Sequence, residues 1–209
     1  MHFMEEDPAP FALGENYAAG LYELLERGPL ADAWAVKGQV TGPISFGMQV
    51  VDQDLRPSLY NEMMRDVIVK NTLRQAQWQE AQLKQLNART LLFIDEPILS
   101  MFGSAFAALS HEDVITALDE VYTGLDSITG SHCCANTDWS LLMSTQVDII
   151  AFDAFGYTDT LALYPDDLRK FLDRGGMLAW GIIPNTGEEA KSITLDQAWE
   201  AQHAAMALL

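Results

Sequence analysis

Cysteine is nearly absent from this sequence: there are two, Cys133 and Cys134, side by side. A disulfide framework needs separated pairs, and adjacent cysteines bridge each other only with strain, so this is not a disulfide-built fold. Metal or thiol chemistry in a reducing compartment is the better reading of the pair. Basic residues are scarce as well. Twelve Lys and Arg stand against thirty Asp and Glu, a formal net charge of −18. Such a surface repels nucleic acid and anionic membranes at long range. Long apolar runs are missing, and none approaches the ~18–20 residues of a membrane span. The opening residues, Met1 to Asp7, lack the basic start and apolar stretch of a secretory signal. The expected setting is therefore the cytoplasm, with no nucleic-acid or membrane partner. No Gly-rich phosphate fingerprint follows any apolar run, which argues against a dinucleotide site.

What is there is an ordinary globular composition, 49% hydrophobic and 20% charged, in a chain long enough for one domain over residues 1–209. Helical patterns alternate with short apolar runs, the signature of an α/β domain with parallel strands. Residues 15–27 repeat Tyr17, Leu21, Leu24 and Leu25 at helical spacing and stop at Gly28. Residues 34–40 read as a strand running into Thr41-Gly42-Pro43. A long helix is expected from about Pro57 to Leu86, with Leu59, Met63 and Val67 on one face and Met63-Met64 packed inside. Residues 90–94 form the next strand. Ser110 with Asp113 makes a capping box for a helix whose stripe is Val114, Leu118, Val121, Tyr122 and Leu125. Further strands are expected at 127–133, 147–152 and 177–183. Pro165 opens a helix that closes at Gly175-Gly176, and Thr194 with Gln197 caps a last one. Five such strands suit an open doubly wound sheet or part of an eight-stranded (β/α) barrel. The expectation is the TIM-type barrel, incomplete at both ends.

Polar residues gather where the strands end: Gln39 and Thr41, Asp95 and Glu96, His132 and Cys134, Asp153, and Asn185. In both α/β architectures that end carries the active site. On an extended chain, side chains two apart point the same way, so His132 and Cys134 converge while Cys133 turns into packing. An imidazole nitrogen and a thiolate suit zinc, and Asp153 offers an oxygen from the next strand. The plainer reading makes the cysteines small buried hydrophobes and His132 a hydrogen-bonded core residue. Asp95 and Glu96 could bind an amine or act as acid and base, or one could simply cap a helix beside Pro97. Trp139, Phe155, Tyr157 and Trp180 could line a pocket, although aromatics at strand ends are more often core.

Taken together, Thr41-Gly42-Pro43, Phe93-Ile94-Asp95-Glu96-Pro97, His132-Cys133-Cys134-Ala135-Asn136 and Val147-Asp148-Ile149-Ile150 resemble the cobalamin-independent methionine synthase and uroporphyrinogen decarboxylase superfamily in order and rough spacing. The resemblance covers residues 34–185. It implies a catalytic barrel with zinc on His132, Cys134 and Asp153, and Asp95 contacting the amino group of an amino-acid thiol such as homocysteine. It also implies methyl transfer to the thiol from a folate or a corrinoid protein, and Gln39 and Thr41, at the end of the first strand, are the further candidates for substrate contacts. Asp153 stands where these enzymes carry Glu, and no later Cys supplies their last zinc ligand. The strong negative charge fits a polyglutamylated folate less well than a corrinoid protein. Two other readings stay open: a decarboxylase of the uroporphyrinogen type, whose arginine-rich N-terminal motif is not visible, and a non-catalytic incomplete barrel.

Overall fold

The computed structural model describes residues 7–101, 109–184 and 187–207. Within them the chain runs α1 (Ala19–Glu26), β1 (Val36–Thr41), α2 (Pro43–Gln49), α3 (Glu62–Leu83), β2 (Thr90–Asp95), α4 (His111–Thr123), β3 (Ile128–Cys133), α5 (Trp139–Ser144), β4 (Ile149–Phe152), α6 (Ala154–Leu161), α7 (Pro165–Asp173), β5 (Met177–Trp180), α8 (Gly187–Ser192) and α9 (Leu195–Met206). Short 3₁₀ turns sit at Ala9–Phe11, Ser58–Tyr60 and Pro97–Met101.

The five strands form one parallel sheet in the order β1-β2-β3-β4-β5. Sequential neighbours in sequential order are what a (β/α) barrel requires, whereas a doubly wound sheet reverses direction at a switch point. The parallel five-stranded sheet is thus compatible with a partial (β/α) barrel. Among the described residues, β1 and β5 each have one unpaired edge.

Alternation along the strands divides the sheet into two unlike faces. Val36, Val40, Leu92, Ile94, Cys133, Ile150 and Phe152 point to the helices and lie in the main core with Leu83, Leu118, Val121, Trp139 and Phe171. The opposite face carries Lys37, Gln39 and Thr41 on β1, all exposed, and half-buried Asp95, His132 and Ala151 on the next three strands. Strand register lines up Thr41, Asp95, His132 and Ala151 across this open face.

Several expected elements stand, with changes that have physical causes. Both capping boxes form, at Ser110/Asp113 and Thr194/Gln197. Gly28 and Gly175 have φ of 80° and 95°, the left-handed conformation that glycine tolerates best after a helix. The long helix starts at Glu62, not Pro57, because Asn61 caps it through Met64 N–H. Met63 is therefore on its outer side and 76% exposed, with Met64 41% exposed, so this pair is surface and not core. Tyr17 also lies outside its helix and is exposed. The fifth strand stops at Trp180, where Gly181 still donates its N–H to Phe152 O at 3.0 Å and the Ile182 N–H closes a tight turn onto Trp180 O at 3.1 Å. Three short helices, α2, α5 and α6, occupy stretches too short to show helical periodicity. No helix among the described residues is long and apolar enough to cross a membrane.

Candidate functional site

The site is built at the C-terminal ends of β3, β4 and β5. A cleft of ≈ 190 Å³ opens there, lined by His132, Cys134, Phe152, Asp153, Phe155, Gly181, Ile183 and Pro184. His132 is half-buried on the open face, Cys133 is fully buried on the helix side, and Cys134 is exposed in the bend just past β3. Alternation thus separates the two thiols by environment. Burial pushes the Cys133 thiol pKa up, and the thiol donates to Ala135 O at 3.4 Å. Cys133 is packing, while Cys134 shares the cleft with the His132 imidazole. A larger hollow of ≈ 380 Å³ lies between α3 and α4, lined by Glu62, Arg65, Asp66 and Asp113 among others, away from these strand ends.

Asp153 also lines the cleft, but it has a second task. Its Oδ1 accepts the Gly156 N–H at 3.1 Å as the N-cap of α6. Donor chemistry therefore fits zinc in kind: an imidazole, a thiol and a carboxylate face one space. Their spacing is looser than a formed centre. Among the described residues, no three His, Cys, Asp or Glu side chains converge as a metal-holding group.

Asp95 and Glu96 are neighbours in sequence with opposite surroundings. Asp95 is half-buried on the open face, in register with His132. Burial raises its pKa, and the His132 and Lys37 charges act in the other direction. Glu96 points through to the helix side and is completely buried. Its Oε1 and Oε2 accept the N–H groups of Ile44 at 2.9 Å and Ser45 at 2.7 Å. Those are two of the unpaired donors that open α2, so a carboxylate from β2's end caps the helix that follows β1. Burial still dominates and raises the Glu96 pKa to about 7. Of the two readings open for this carboxylate pair, the structure gives Glu96 the capping role, on a helix earlier in the chain than Pro97. It does not bring Glu96 to the face that Asp95 occupies.

Gln39 and Thr41 lie on the open face of β1, both exposed, with Thr41 in register with Asp95. Of the aromatic candidates, Phe155 reaches the cleft, while Trp139 is fully buried and stacks edge-on with Phe152 at 5.8 Å. Trp180 also packs against Phe152, with ring centroids 5.3 Å apart. Asn185 lies outside the described residues. Sequence reasoning missed Lys37. Its ammonium lies 4.4 Å above the Phe93 ring and donates to Gln39 Oε1 at 2.8 Å. A lone Lys inside an apolar strand pattern, two residues before a polar Gln, was the available signal.

Comparison with family models, with curated proteins and with solved structures finds no match to this chain.

Proposed function

We propose that this chain is a zinc-dependent methyltransferase of the methionine synthase type, acting on an amino-acid thiol such as homocysteine. The observation that carries the reading is that His132 and Cys134 line one cleft together with Asp153, at the C-terminal end of a sequentially ordered parallel sheet. His132, Cys134 and Asp153 are the residues that would hold the metal. Zinc bound there would lower a substrate thiol's pKa and keep a nucleophilic thiolate available near neutral pH.

The chain's own residues do the positioning. Asp95, left on the open face in register with His132, takes the substrate's amino group. Gln39 and Thr41 bound the substrate on the β1 side, and Phe155 and Ile183 wall the cleft beyond Cys134. Holding thiol and methyl donor in line converts a two-body displacement into a local one, the main lever such a site has. The donor is a methylfolate or a methylcorrinoid protein, and the net charge of −18 favours the protein-borne donor over a polyanionic tail. Single-turnover transfer from each donor to homocysteine, with methionine read by mass, tests the reading; no methionine from either donor in a zinc-loaded sample would sink it.

One observation favours a second reading. Among the described residues β1 and β5 each have an unpaired edge, and these edges with the open sheet face suit a non-catalytic incomplete barrel that associates through its edges. A monodisperse monomer by sizing with light scattering argues against association of that kind.

A further inference from the structure

Two opposite charges share the open face without closing on each other. The Asp95 carboxylate is half-buried, yet among the described residues it makes no side-chain hydrogen bond and no ion pair. Lys37 likewise forms no ion pair among the described residues. Its ammonium is steered instead by Gln39 Oε1 at 2.8 Å and by the Phe93 ring 4.4 Å below it. That ring lies flat over Gly130, where an added Cβ would stand 2.5 Å from Phe93 Cε2. The missing side chain of Gly130 thus gives Phe93 room to form a floor, and the floor holds the ammonium in place.

Spacing says what fits between them. Phe93 precedes Asp95 by two residues on β2, about 6.6 Å of strand rise. An ammonium over Phe93 and a carboxylate at Asp95 therefore stand farther apart than an ion pair, yet alternation and register put Lys37, Phe93 and Asp95 on the same open face of the sheet. A ligand that is only anionic meets Asp95 unfavourably, and one that is only cationic meets Lys37. A zwitterion carrying both charges on neighbouring atoms satisfies both, through charge-assisted hydrogen bonds of about 2.8 Å at each end. Lys37 gives one of its three donors to Gln39 and keeps the others for an incoming oxygen.

We infer that Lys37 completes the head-group subsite for a free α-amino acid, taking the α-carboxylate of a ligand whose α-ammonium is the one already assigned to Asp95. Gln39 and Phe93 are positioning residues that hold the Lys37 ammonium. This deepens the amino-acid thiol reading and rests on it for the direction in which the ligand's side chain points, across β3 toward His132 and Cys134. It predicts selectivity against ligands that lack either charge.

Calorimetric titration of the whole chain with three probes tests this: L-methionine, the amine left when its carboxylate is removed, and the acid left when its amino group is removed. Wild type should bind L-methionine about tenfold or more tightly than either truncated probe. Lys37→Gln should abolish the preference over the amine, with amine binding equal or tighter because its repulsion by the ammonium is gone, and Lys37→Arg should retain most of the preference. Asp95→Asn should abolish the preference over the acid. Lys37 is on an exposed face, and circular dichroism checks that its variants fold. An unchanged preference in Lys37→Gln, or no saturable binding of L-methionine to wild type, overturns the subsite. Zinc content of the same samples separates the two ideas. Intact head-group selectivity without zinc upholds the subsite and removes the methyltransferase reading; bound zinc without selectivity does the reverse.

Discussion

A Cβ placed on Gly42 would stand 2.2 Å from Glu96 Oε1, closer than any side chain tolerates. The turn after β1 and the end of β2 are therefore fitted to each other through one missing side chain. Gly42→Ala must push the Glu96 carboxylate away from Ile44 and Ser45 or shift the loop. The expected cost is about 1–3 kcal/mol of folding stability, read by urea unfolding. An unchanged midpoint would show that the loop absorbs the methyl freely.

Glu96 also gives stability a pH dependence with a definite sign. Its pKa in the fold is about 7, raised from the ordinary 4.5, mainly by burial. A raised folded-state pKa means that the native protein holds this proton more tightly than the unfolded chain does. Its contribution is full below pH 4.5 and is lost as pH rises to about 7, about 3 kcal/mol at most. Glu96→Gln should flatten that slope. It should also weaken the fold by about 1–3 kcal/mol, because an amide cannot accept both backbone N–H groups as well as a carboxyl does. Urea titrations at several pH values measure both effects, and a slope that persists in the variant assigns it to another group.

Asp153 separates helix capping from metal binding. Asp153→Asn keeps a side-chain oxygen for Gly156 N–H and should leave stability nearly unchanged while weakening zinc. Asp153→Ala should lose about 1 kcal/mol through the cap of α6 in addition. Equal zinc affinity in all three proteins would confine Asp153 to capping.

Much of this was legible in the sequence because the signals were periodic or stereochemical. The strand at Thr90–Asp95 and both capping boxes needed only alternation and a hydroxyl three residues before a carboxyl or amide. The contrast between buried Cys133 and exposed Cys134 followed from alternation as well. What was not legible depends on long-range geometry. No local pattern says that Glu96 caps a helix fifty residues earlier, or that Phe93 lies over Gly130 and carries Lys37. Met63 misled because methionine is apolar, yet its place in the first turn after the Asn61 cap turns it to solvent.

Gly130→Ala tests the floor of the open face. The new methyl must displace the Phe93 ring and loosen the seat of the Lys37 ammonium. L-methionine binding should weaken about tenfold while zinc content stays the same. A matching loss of zinc would mean that the substitution disturbs the β3 end as a whole.

The most direct measurement is the zinc content of the purified chain beside its Cys134→Ser variant, with circular dichroism to show that both are folded. About one zinc per chain in the wild type, lost in the variant, is the predicted result for a site built on His132 and Cys134. A folded wild-type chain that takes up no zinc when the metal is supplied would contradict it.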